Sequence, residues 1–222
     1  MHAREQYVET AGGVRLFCRS VGDGAETVVV VHGGPGFSME YLVDDLMPLA
    51  LRHCLVFYDQ RGSGRSSLVS DAAALDAQRF VDDLEALRLH LGLEWLTLLG
   101  HSWGAGVVAL YALRHPQRVQ RLILVGPIPL RHSELQRTFQ HIAAGRSETE
   151  RAQLQSARKA WLADPGNAGA CRAYYRLWYR PFFADRTALS RSKGDAPEAF
   201  FAALDEFVSG RWPREAQAAS AR

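Results

Sequence analysis

Apolar and polar positions alternate in short blocks over the first half of the chain, and the period of each block predicts an element. Residues 7–10 and 14–19 are brief, partly alternating segments separated by Ala11-Gly12-Gly13, the pattern of a β-hairpin. The run ETVVVVHGGPG, residues 26–36, is β-branched through its apolar part and ends in glycines. A run without alternation suits a strand covered on both faces by helices. Met39, Leu42, Val43, Leu46, Met47 and Ala50 follow at helical spacing, with Ser38 placed as the N-cap.

The pattern then repeats. CLVFYDQRG, residues 54–62, predicts a second buried strand running into a loop. Phe80, Val81, Leu84, Leu87 and Leu91 share one helical face, with Asp82 and Asp83 in the early turns, where carboxylates favour the helix dipole. WLTLLG predicts a third strand, GAGVVALYALRH a nearly all-apolar helix, and VQRLILVGP a fourth strand. Strands alternating with helices imply right-handed crossovers and a mostly parallel sheet. After Pro127 the character changes: residues 131–209 are amphipathic and helical, and REAQAASAR at the end has no apolar anchor. The pattern divides the chain into an α/β layer at 1–127, a helical block at 128–212 and a frayed tail at 213–222.

Composition narrows the class. Of 222 residues, 47% are hydrophobic and 23% charged, the balance of a soluble globular protein. The net charge of +2 and the scattered arginines form no phosphate-binding stripe, so nucleic acid is not an expected partner. No apolar run approaches the ~20 residues of a membrane-spanning helix, and the N-terminus has no secretory h-region. Cys18, Cys54 and Cys171 are an odd number at spacings unlike metal ligands, as expected of reduced thiols in a cytoplasmic protein.

Two motifs carry chemistry. Gly100-His101-Ser102-Trp103-Gly104 matches G-x-S-x-G, and it follows a predicted strand and opens a Gly/Ala-rich helix. That setting is the one in which a serine sits on a strained turn with its hydroxyl exposed as a nucleophile. Ser102 as a simple helix cap is the alternative. His32-Gly33-Gly34-Pro35-Gly36 also lies at the end of a strand. Its amides, together with that of Trp103, are suited to hold the oxyanion of a tetrahedral intermediate. His32 reads as a hydrogen-bonder of that loop, and Asp59 and Arg61 as a structural pair.

HGGPG, DQRGSGRS and GHSWG, followed by HPQRVQRLILVGP, resemble the proline iminopeptidase group of α/β-hydrolases over residues 1–130. The resemblance implies an α/β-hydrolase fold: a mostly parallel sheet with helices on both faces, plus a helical cap. It implies Ser102 as the nucleophile and the backbone N–H groups of Gly34 and Trp103 as the oxyanion hole. His32, Gly33, Pro35, Gly36, Asp59, Arg61 and His101 would shape the site. It implies a small substrate with a free N-terminal residue, usually proline, bound under the cap, and no metal or organic cofactor.

The match breaks where a triad would be completed. In that fold the acid and the histidine follow two further strands beyond the cap, each strand–helix unit taking roughly 30 residues. No such run follows Gly126 and no histidine follows His141, so the acid and the histidine have no matching positions and the last core strands are missing. His101, His115, His132 and His141 are poor substitutes, with His132 the least so. The pattern reads as a C-terminally truncated member; completion by a partner or by self-association through the apolar edge VQRLILV, and a natural reduced form, stay open. In the cap, Trp178, Tyr179, Glu198 and Glu206 are the candidate substrate-binding residues. The expected activity is removal of an N-terminal proline from small peptides. An esterase or amidase of the same fold, or a catalytically incomplete binding module, are the alternatives.

Overall fold

A computed structural model describes residues 3–34, 36–69, 72–164 and 167–180. The predicted hairpin forms from β1 (Ala3–Glu9) and β2 (Arg15–Val21), paired antiparallel across the turn at Gly12 and Gly13. Next come β3 (Thr27–Val31), α1 (Glu40–Leu46), β4 (Cys54–Tyr58), α2 (Ala77–His90), β5 (Leu96–His101), α3 (Trp103–Arg114) and β6 (Val119–Val125). Together the strands make one sheet in the order β1-β2-β4-β3-β5-β6. β4, β3, β5 and β6 run parallel, and β2 joins β4 antiparallel. The chain steps from β3 to β4 on one side, then crosses to β5 on the other. That reversal opens a crevice at the carboxyl ends of β3 and β5, where open α/β sheets bind their ligands.

The continuous apolar strands are buried on both faces, as their lack of alternation implied. Val29, Val31, Val56, Tyr58, Leu96 and Leu98 pack against Phe80, Leu84 and Leu87 of α2 and Val107, Val108 and Tyr111 of α3. Val28, Val30, Leu55, Phe57 and Leu99 face the other way, onto Met39, Leu42 and Val43. β6 is the outermost strand among the described residues, and its Leu122, Ile123, Leu124 and Val125 are all exposed.

Three local expectations are corrected. Ser38 does not cap α1. The helix begins at Glu40 with Met39 at the N-cap, and the Met39 amide donates to Asp59 Oδ1 at 2.8 Å. No side chain caps α1, and a carboxylate brought from the loop after β4 holds the amide of its N-cap residue instead. The predicted helix is also shorter, passing at Met47–Leu51 into a 3₁₀ turn that contains Pro48. Asp83 is not a dipole partner at the start of α2; Asp76 caps that helix, and Asp83 is buried one turn in.

Past β6 the described chain is helical: α4 (His132–Ala144), α5 (Glu148–Ala163) and α6 (Ala168–Tyr179). A reciprocal capping box between Ser147 and Glu150 starts α5, and the Asn167 side chain caps α6. The expected cap boundary at 212 and the tail 213–222 lie outside the described residues. No helix among the described residues is long and apolar enough to cross a membrane.

Candidate active site

Ser102 occupies the turn between β5 and α3 with φ 52° and ψ −115°. Among the described residues it is the one non-glycine with positive φ. Such a conformation costs on the order of 1–3 kcal/mol and persists only where its surroundings enforce it. The flanking glycines do the enforcing. A Cβ on Gly104 would overlap the carbonyl oxygens of Val31 and His32. One on Gly100 would lie 2.6 Å from both Ala105 Cα and the Gly104 oxygen. α3 therefore sits directly on the end of β3. The Ser102 amide donates to the Val125 oxygen at 2.9 Å, pinning the turn to β6. The side chain makes no capping hydrogen bond to α3, which removes the helix-cap reading.

The loop after β3 comes up against this turn. A Cβ on Gly33 would lie 3.1 Å from Ser102 Cβ and 2.9 Å from His101 Nδ1. Gly34 has φ +130° and Gly36 φ +90°, conformations that side chains rarely adopt. Pro35 lies outside the described residues. His32 is buried beneath the loop: Nδ1 is 2.7 Å from the Gly33 oxygen, and Nε2 accepts from the Gln60 amide at 3.0 Å. Since an amide can only donate, the imidazole is neutral with its proton on Nδ1. Burial holds its pKa below the ordinary 6.5, outweighing the Gly33 hydrogen bond and the Asp59 charge. Gln60 Nε2 donates to the His32 oxygen at 2.6 Å, and its Oε1 accepts from Trp103 Nε1 at 3.0 Å. Trp103, the first residue of α3, is thus tied to the loop across the site.

His101 points to Tyr41: its Nδ1 is 2.7 Å from the phenol oxygen, which also accepts the Gly33 N–H at 2.6 Å. Burial lowers the His101 pKa and raises that of Tyr41, so both groups are neutral near pH 7.

Asp59 and Arg61 do not pair with each other. Asp59 accepts from the amides of Met39 and Arg65, both at 2.8 Å. Arg61 instead forms a two-pronged bond with Asp83, Nε to Oδ2 at 2.7 Å and Nη2 to Oδ1 at 2.5 Å. Both residues brace the loop around Gln60.

The candidate cap residues divide. Tyr179, at the end of α6, lies 5.1 Å ring to ring from Phe37 in the loop after β3. Phe37 meets Tyr41 at 5.9 Å and Tyr41 meets His101 at 5.6 Å, so an aromatic chain joins α6 to the Ser102 turn. Trp178 packs within the helical block, against Phe139, Tyr174 and the Arg146 guanidinium. Glu198 and Glu206 lie outside the described residues. His115 packs at a tilt against Tyr111 at the far end of α3, and His141 is exposed on α4. His132 opens α4, and its side chain is not among those described. No described histidine hydrogen-bonds the Ser102 hydroxyl. Sequence reasoning missed Phe37, Tyr41 and Gln60. The one available signal was an aromatic pair spaced i, i+4 directly after HGGPG.

Residues 26–168 match the alpha/beta hydrolase fold family. A proline iminopeptidase of Heyndrickxia coagulans is 34% identical over 149 residues, covering 65% of this chain and 51% of that protein. One of Lactobacillus delbrueckii subsp. lactis is 32% identical over 185 residues, covering 79% of this chain and 61% of that protein. The crystal structure of VinJ superposes with a TM-score of 0.70 at 23% identity, covering 89% of this chain and 69% of that one, a likeness of fold. The chain spans about half the length of the first of these curated relatives.

Proposed function

Because this chain belongs to the α/β-hydrolase fold family, we propose that it is a serine hydrolase of the proline iminopeptidase type, with Ser102 as its nucleophile. The observation that carries this reading is the positive-φ serine, held against the glycine loop at the switch point of the sheet. A protein does not keep a strained serine on a close-packed turn for stability alone.

The chemistry follows from the placement. Ser102 Oγ attacks the carbonyl carbon of an N-terminal residue, proline first among the candidates. The tetrahedral oxyanion falls to the amides of Gly34 and Trp103, each such donor being worth roughly 10²–10³-fold in rate. The serine proton passes through a base to the leaving amine as the C–N bond breaks. Water then releases the acyl group. None of the described histidines meets Ser102 Oγ, so the base is unassigned. The activity of the proline iminopeptidase relatives favours an aminopeptidase over the ester and amide hydrolysis the fold also supports.

The second reading is a fold-retaining binding module without turnover. Labelling with a fluorophosphonate separates the two. Wild type is expected to label and Ser102→Ala not to; an unlabelled wild type leaves the binding module. Fluorogenic prolyl amide and acyl ester substrates then decide between peptidase and esterase.

A further inference from the structure

The Tyr41 hydroxyl joins three segments that meet at Ser102, and neither periodicity nor motif marks it. It receives the Gly33 N–H at 2.6 Å and lies 2.7 Å from His101 Nδ1. Gly33 belongs to the loop after β3, Tyr41 to α1, and His101 to the end of β5 immediately before Ser102. Gly33 can make this approach only because it lacks a side chain. A Cβ there would lie 2.8 Å from the phenol oxygen, 2.9 Å from His101 Nδ1 and 3.1 Å from Ser102 Cβ.

The donors and acceptors can be assigned. The Gly33 amide has one role, to donate, so the Tyr41 oxygen accepts there. Burial keeps the phenol protonated, so its O–H needs an acceptor, and Nδ1 of a neutral imidazole supplies one. A proton on Nδ1 would leave the phenol O–H with no described acceptor. The chain of donors therefore runs Gly33 N–H to Tyr41 O–H to His101 Nδ1, and the His101 proton sits on Nε2.

We propose that Tyr41 is a positioning residue: its hydroxyl sets the His101 tautomer and clamps the Gly33–Gly34 backbone onto the Ser102 turn. In the reaction it acts through that backbone, fixing where the Gly34 amide stands relative to Ser102 Oγ. The effect on reaction rests on the hydrolase reading above, whereas the clamp itself does not.

The test uses Tyr41→Phe, which keeps the ring and its contacts with Phe37 and His101 and removes only the hydroxyl. Amide hydrogen exchange reads the clamp without reference to activity. Gly33 is expected to exchange on the order of tenfold faster in Tyr41→Phe, the size of a lost net hydrogen bond. Val30, in the middle of β3, should be unchanged and so controls for global unfolding. Nitrogen-15 spectra of wild type should show His101 with its proton on Nε2, and a mixed tautomer in the variant. Unchanged Gly33 exchange, or a wild-type His101 carrying its proton on Nδ1, overturns the proposal. If Tyr41→Phe fails to fold, His101→Leu leaves the phenol O–H without its acceptor and is read by Gly33 exchange alone, expected to rise, beside the wild-type His101 tautomer. Fluorophosphonate labelling forms the second arm, with Ser102 in Tyr41→Phe expected to label roughly tenfold more slowly. Equal labelling rates overturn the positioning role. A wild type that never labels overturns the hydrolase reading instead, and the exchange result still decides the clamp.

Discussion

At the scale of single residues, Ser102 illustrates a conflict between stability and chemistry that can be measured. Its backbone stands at φ 52°, a conformation glycine adopts freely and alanine does not. Ser102→Ala should therefore keep the strain while losing the hydroxyl, and Ser102→Gly should lose both. Relief of strain is on the order of 1–3 kcal/mol, and the extra freedom of an unfolded glycine opposes it by about 0.4–1 kcal/mol. Ser102→Gly is thus expected to be more stable than Ser102→Ala by ~1 kcal/mol in urea titrations. Equal midpoints would mean that the turn relaxes without cost.

His32 gives the same site a pH dependence. Its folded pKa lies below the ordinary 6.5 because the imidazole is buried, and both ring nitrogens are already engaged, Nδ1 with Gly33 and Nε2 with Gln60. The neutral ring therefore contributes stability that is fully present above pH 6.5 and is lost as pH falls through the lowered folded value. Within that window the loss is at most ~1.4 kcal/mol per pH unit from this group. His101, also lowered by burial, acts in the same direction. Denaturant midpoints should fall on acidification from pH 7.5 to 5.5 (a drop of about two units). An imidazole resonance of His32 titrating at or above 6.5 would contradict this account.

At the scale of elements, the loop after β4 is held by α2 through the Arg61–Asp83 bond, in which the side chains are 4% and 1% exposed. Removing one partner strands a buried charge, so Asp83→Ala should cost on the order of 3–5 kcal/mol. Replacing both, as Arg61→Met with Asp83→Leu, should recover much of that loss in a double-mutant cycle. A cycle in which the double variant is no better than Asp83→Ala would assign the role to packing instead. This pair also shows where sequence reasoning stopped. Strands β3, β4 and β5 and the elbow after β5 were legible because a β-branched or apolar run ending in glycine constrains a short stretch by itself. The partner of Arg61 was not legible, since Asp83 lies 22 residues away on another element and only the folded crossover brings them together. Met39 at the N-cap of α1 and Tyr41 at the clamp fall in the same class: each is decided by a group from a different strand or loop. Periodicity reports which face is buried, and it carries no information about which polar groups meet there.

At the scale of the whole molecule, the described sheet has an apolar margin at β6. Leu122, Ile123, Leu124 and Val125 are 38%, 42%, 42% and 45% exposed, and no described strand pairs with the outer edge of β6. Unpaired backbone groups beside exposed branched side chains form a template for strand addition. The margin is also mechanically close to the site, because the Val125 oxygen receives the Ser102 amide at 2.9 Å. Order along β6 is therefore expected to matter at the Ser102 turn. The chain should self-associate through this edge as its concentration rises, and sedimentation velocity would show it as a growing fast-moving species. Ile123→Lys sets a charge on the exposed strand, a device natural edges use against pairing, and should hold the protein at monomer size. Its β5 partner is Leu99, whose pairing with β6 is by backbone and survives the change. A wild type that stays monomeric at every concentration would refute the edge as an association surface. Association that persists undiminished in Ile123→Lys would move the contact elsewhere, most directly to the helices after β6.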